Sequence, residues 1–163
     1  MISLGERLDG IRVRVQVPGT EIGAELRNRT DVTLTFGRSV YKWLSESHLE
    51  HFLATLARLL YAEWLRQYRA ALSESYLSAS GPETPQEREF LAAREKLEAS
   101  GQSPDGRITI SATGMQNFRV RIAPGTLREL REREFVASAT EAVTAFLDDQ
   151  RTKIGELKQQ FFP

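Results

Sequence analysis

The strongest constraint on this chain is a change of hydrophobic period that happens twice, at places 86 residues apart. In the first half apolar side chains alternate at Ile22, Ala24 and Leu26, then at Val32, Leu34 and Phe36; in the second they alternate at Ile108, Ile110 and Ala112, then at Phe118, Val120 and Ile122. A period of two puts alternate residues on opposite faces, so each run predicts a half-buried strand. After each pair the period lengthens to that of a helix. One apolar stripe starts after Ser45 and runs through Leu49, Leu56 and Leu60 to Leu72; another runs from about Leu127 through Phe135, Ala142 and Phe146 to Phe161. A shift of 86 positions without a gap lays Ile22 on Ile108, Leu34 on Val120, Leu49 on Phe135 and Leu60 on Phe146. Identity is low, and generic patterning can give the same overlay. A true repeat would hold in one chain what otherwise takes a two-fold dimer.

The rest of the chain fits around these units. Ile11 to Val17 alternates as a further strand ended by Pro18-Gly19, and Asn28 between two arginines suits a hairpin turn. Either Ser45 or Ser47, the latter with Glu50 three residues on, can cap the first long helix. Ser78 to Pro85 reads as a linker. Gln86 to Ala99 reads as a short charged helix with Phe90, Leu91, Arg94 and Leu97 on its buried face, ended by Ser100 to Gly106. The expected fold is α+β: short antiparallel strands packed on long helices, in two related strand-strand-helix units over 1–80 and 81–163 that pack as one compact domain around an approximate two-fold. A chain of 163 residues can bury such a core without disulfides, and it has no Cys. Lys plus Arg and Asp plus Glu number 22 each, so nucleic acid or an anionic membrane would have to be met by a local patch. Apolar runs fall short of a membrane span and the first residues lack a signal-peptide pattern, which reads as a cytoplasmic protein.

The segment from Asp105 to Phe161 resembles the core of the YbaB/EbfC family of small bacterial interaction proteins. Its marks are Asp105-Gly106, the strands RITISATG and FRVRIAPG, and a long helix holding Glu141-Ala142 with an Arg/Lys-rich end. In the first half, Leu44-Ser45-Glu46-Ser47-His48-Leu49, then Leu56-Ala57-Arg58, Ala62 and Gln67-Tyr68, is similar to a stretch of actinobacterial ESX (type VII) secretion-associated proteins that share this small fold. The resemblance implies a strand layer backed by helices, with long helices pairing across a two-fold. It also implies a non-enzymatic role, as a nucleoid-associated DNA binder or as a factor that binds protein partners.

Residue chemistry agrees with a binding role. His48 and His51 share a helix face, but only Glu46 and Glu50 stand nearby, and surface histidines are the simpler reading. Carboxylate pairs such as Asp148-Asp149 sit in charged helix faces, and no nucleophile elbow or phosphate loop is present. We therefore expect no catalytic residues, no metal, no cofactor, no small-molecule substrate and no membrane partner. Arg12 with Arg14, and Arg119 with Arg121, share polar strand faces; with Arg151 and Lys153 they form the candidate patch for nucleic acid or another anion. Solvated or salt-bridged arginines are the ordinary alternative. Trp43, Tyr61, Trp64, Phe161 and Phe162 are the candidate partner interface, for another protein or a second copy of the chain. Balanced charge favours a protein partner over DNA, since DNA binding rests on phosphate neutralisation.

Overall fold

The computed structural model describes residues 3–74 and 84–163, so most of the expected linker, 78–83, lies outside the described residues. A short helix α1 (Leu4–Asp9) leads into strands β1 (Val13–Gln16), β2 (Ile22–Arg27) and β3 (Asp31–Phe36), a 3-10 turn (Tyr41–Trp43) and the long helix α2 (Glu46–Glu74). The order then recurs with α3 (Pro85–Glu95), β4 (Glu98–Gln102), β5 (Ile108–Thr113), β6 (Gln116–Ile122), the short α4 (Thr126–Glu129) and α5 (Glu132–Phe161). Each set of strands is an antiparallel three-stranded sheet, in the orders β1-β2-β3 and β4-β5-β6.

The offset of 86 survives in the backbone. It carries β2 onto β5 end to end, and the first residue of α2, Glu46, onto the first of α5, Glu132. Backbone sign changes recur with it. Asn28 and Arg29 turn the first hairpin at positive φ, and their counterparts Gly114 and Met115 turn the second; Ser39 and its counterpart Gly125 are also at positive φ. Two successive left-handed residues give the twist that joins antiparallel strands through a tight turn.

Three sequence expectations need correction. The charged helix ends at Glu95, and Glu98–Gln102 is strand β4; with only Ala99 and Gly101 buried, that strand has no apolar signal to announce it. No residue of α3 is buried: Phe90 and Leu97 are half-buried, while Leu91 and Arg94 are exposed. The second long helix is broken, since Leu130 and Arg131 are extended between α4 and α5, and Tyr41 Oη donates to Leu130 O at 2.9 Å across the break. Burial and the carboxylates of Glu46, Glu132 and Glu134 push that phenol up to about 12, so it remains a donor. Of the two caps considered for α2, Ser45 serves, its Oγ accepting from His48 N at 3.1 Å.

The long helices reach across the repeat. α2 packs on β6 of the second sheet as well as on β1 and β2, and α5 packs on β3 of the first as well as on β4 and β5. At the centre sit Leu49 and its counterpart Phe135, both fully buried, among Ile22, Ile108 and Ala142. Phe135 meets Tyr41 and Phe36 ring to ring, with centroids at 5.7 and 6.3 Å. The junction also has polar latches. Glu50 accepts from Ile122 N at 2.7 Å, and Glu46 accepts from Gly125 N at 3.1 Å and Leu127 N at 3.3 Å. These two carboxylates, considered above beside the histidines, hold backbone amides of the second unit. Asp149 on α5 likewise accepts from Ser100 N of β4 at 2.8 Å.

One contact fixes how closely α5 lies on its sheet. A Cβ on Gly101 would stand 2.1 Å from Phe146 N and 2.5 Å from its Cα, so only glycine lets the helix backbone rest there. The corresponding residue of β1 is Val15. Backbone cannot yield as a side-chain tip does, so Gly101→Val should destabilise by about 3 kcal/mol or more, read from the urea midpoint.

Hydrogen bonds from backbone amides hold the Glu46 and Asp149 carboxyls below the usual carboxylate range, and for Asp105 the Ser103 hydroxyl does so first. A carboxylate whose folded pKa lies below its unfolded value stabilises the fold fully above about pH 4.5, and that contribution is lost as pH falls through the folded pKa. Thermal stability should therefore change little between about pH 7 and 5 and fall below about pH 4, with a shallower fall in Glu46→Gln.

Candidate binding cleft

Although α2 and α5 are both long and amphipathic, they do not pack on one another along their length. Between them opens a cleft of about 600 Å³. On the α2 side it is lined by Ala57, Leu60, Tyr61 and Trp64, spaced by three and four so that they share one helix face. On the α5 side the lining runs from Val143 through Leu147 and Ile154 to Lys158 at the same kind of spacing. The sheets supply the floor through Leu26, Val32, Ile110 and Phe118, and the hairpin turns contribute Arg29 and Met115. A smaller void of about 70 Å³ continues inward and shares Val32, Ala57, Leu60, Ile110 and Val143 with the cleft. Several linings are repeat counterparts, such as Ala57 with Val143 and Leu60 with Phe146, so the cleft straddles the approximate two-fold.

Its polar groups are of one sign. Among the described residues, Arg29, Arg94, Arg151 and Lys158 line it, together with Gln150 and no Asp or Glu. Arg29 is paired to Asp9 at 2.8 Å and Arg151 to Asp148 at 2.7 Å, whereas Arg94 and Lys158 have no ion pair among the described residues. The walls also carry a mismatch. Trp64 Nε1 and Gln150 Oε1, a donor and an acceptor at counterpart positions, are both buried without a hydrogen-bond partner. Such a group costs about 1–3 kcal/mol, so these walls are not at their best-satisfied arrangement. Trp64 stacks between Tyr61 and Tyr68, at 6.2 and 5.0 Å.

The sequence-derived sites distribute as follows. Tyr61 and Trp64 come together on the cleft wall. Phe161 and Phe162 pack edge-on against Phe90 of α3, at 6.1 and 5.5 Å. Trp43 stands apart on the 3-10 turn, 80% exposed, with Lys42 Nζ 5.5 Å from its ring. The arginines do not gather into one patch. Arg12, Arg14 and Arg27 converge on the buried carboxylate of Glu25, at 3.6, 2.9 and 2.5 Å, and the guanidiniums of Arg27 and Arg14 hold it below its usual range. Arg119 and Arg121 are exposed on β6 of the other sheet, Arg119 donating to Ser111 Oγ at 3.2 Å. Arg151 lies on the cleft, while Lys153 is held by Glu98 O at 2.9 Å and Asp149 at 3.1 Å. Arg29, Gln150 and Gly155 were not foreseen as site residues. The spacing of Val143, Leu147, Gln150, Ile154 and Lys158 on one helix face was the available signal.

Among the described residues, no cluster of His, Asp and Glu could hold a metal ion, and no helix is long and apolar enough to cross a membrane. Compared with protein families, characterised proteins and solved structures, the chain shows no match.

Gly155 lines the cleft in the last third of α5, and a Cβ built on it meets no atom of the described residues within 4 Å. Nothing among the described residues requires glycine there. Gly155→Ala should raise stability by about 1 kcal/mol through helix propensity alone, measured by urea unfolding.

Proposed function

We propose that this chain is a non-catalytic binding module that takes a protein partner in the cleft between α2 and α5. The observation that carries the reading is the pair of long helices that leave a shared apolar gap between them above the sheets. In a closed fold such faces cover one another; left apart, they form an apolar patch of the kind partners fill. The lining supports binding over catalysis, because among the described residues its ionisable groups are cations and one phenol, with no carboxylate or imidazole in it to relay a proton. A role as an accessory factor in a type VII secretion system is the finer form of this reading, supported by the residue pattern of 44–68.

Nucleoid binding is the second reading, and Arg119 with Arg121 on an outer strand face favours it. It has less support, since Arg12, Arg14, Arg151 and Lys153 are each engaged by a carboxylate. A photo-crosslinking residue placed at Tyr61, and in a second variant at Arg119, separates the two in living cells. The expected result is a crosslinked protein from position 61 and none from position 119. Nucleic acid crosslinked from position 119, with nothing captured from 61, would overturn the proposal.

A further inference from the structure

We infer that the occupant of the cleft is an amphipathic α-helix of the partner, about four turns long, with an apolar face and acidic flanks. This deepens the reading above and rests on it. Length comes from α5: Val143 and Lys158 stand 15 positions apart, about 22 Å of helix at 1.5 Å per residue. Shape comes from the walls. Both present apolar side chains at helical spacing, the surface that a third helix meets when it lies in a groove between two others. Gly155 adds an independent sign. An exposed glycine inside a helix is unfavourable unless something must pass close to its backbone, and no atom of the described residues does. A neighbouring helix axis can approach there where a side chain would hold it off.

Charge decides the flanks. The cleft offers four cations and no carboxylate, and Arg94 and Lys158 are unpaired among the described residues. An apolar helix with Glu or Asp beside its buried face would pair them; a helix with Lys there would face like charge across the rim. The walls have polar needs as well. Trp64 requires an acceptor and Gln150 a donor, and side chains of an inserted helix can supply both as the walls adjust.

The chain carries its own reporter, because it has two tryptophans and only Trp64 lines the cleft. In Trp43→Phe, emission from Trp64 is followed while the protein is titrated with designed peptides of about 16 residues. All have Leu at helical a and d positions; one has Glu flanks, one Lys flanks, and one has Glu flanks with a central Pro. The expected result is saturable change with the Glu-flanked helix, weakening as salt rises, and binding about tenfold or more weaker for the Lys-flanked and Pro-broken peptides. Gly155→Phe, which fills open space, should abolish the response with no loss of melting temperature. The double variant Arg94→Glu, Lys158→Glu, altered only at exposed positions, should reverse the preference towards Lys flanks.

Equal binding of the Glu- and Lys-flanked helices would overturn the acidic flank, and equal binding of the Pro-broken peptide would overturn the helix. If a protein crosslinks from Tyr61 in cells while no peptide moves Trp64 emission, this inference fails and the protein-binding reading stands. If sodium oleate saturates Trp64 emission, no peptide does, and position 61 captures no protein, both fail in favour of a small amphiphile.

Discussion

Neither sheet of this protein is covered by its own helix alone, and the rest of the structure depends on that. α2 must lie across β6 of the second unit, and α5 must reach β3 of the first, for the inward rows of Val, Ile, Leu and Phe to leave water. At about 25 cal/mol per Å² of apolar surface, this cross-covering is the dominant stabilising contribution, and it ties the two units into one cooperative body. The polar latches fall at the same junction. Glu46 and Glu50, in the first turns of α2, satisfy amides of the second unit that the chain's turn after β6 leaves open. Long helices reach across the two-fold by lying on the opposite sheet.

The symmetry is imperfect in a way that opens the cleft. Gly101 admits the backbone of α5 directly onto β4, whereas its counterpart on β1 is Val15, a half-buried side chain packed against the core. One helix is therefore seated deeply on its own sheet and the other less so. The cleft is lined more extensively by α5 than by α2, and its basic rim is drawn largely from the second unit, through Arg94, Arg151 and Lys158. Counterparts diverge in polarity there: Trp64 corresponds to Gln150, and Leu65 to Arg151. Two nearly equivalent walls thus become an oriented site, which a symmetric pair of identical units would not provide.

The sequence made the strands and helices legible wherever burial was one-sided. β3, β5 and β6 alternate because one face meets the helices and the other is more exposed, while β2 alternates in residue type although Gly23 and Glu25 on its outer face are buried too; the offset of 86 could be read from that alternation. β4 was invisible because the deep seat of α5 demands Ala99 and Gly101, residues that carry no hydrophobic signal. The six residues of α1 are too few to display a period, and the break at Leu130 and Arg131 has no Pro or Gly to mark it. Arginine pairs were correctly seen to share strand faces, but their convergence on Glu25 depends on register across β1 and β2, which pairs Arg14 with Glu25 and which no local pattern reveals. The cleft was half legible. A stripe says that a helix face seeks cover, and cannot say whether the chain itself supplies it.

That missing cover gives Gly155 its meaning. A mid-helix glycine on an exposed face forgoes about 1 kcal/mol of helix stability. The buried but unpaired atoms of Trp64 and Gln150 forgo more, and the cations Arg94 and Lys158 stand near one apolar surface without an anion between them. Each of these is locally unfavourable, and all lie around one volume between two helices that elsewhere satisfy their neighbours well. Independent defects would scatter over the molecule. Their concentration at a single cleft is what a surface looks like when its last layer belongs to another molecule, because functional sites are where local rules are broken and compensated elsewhere.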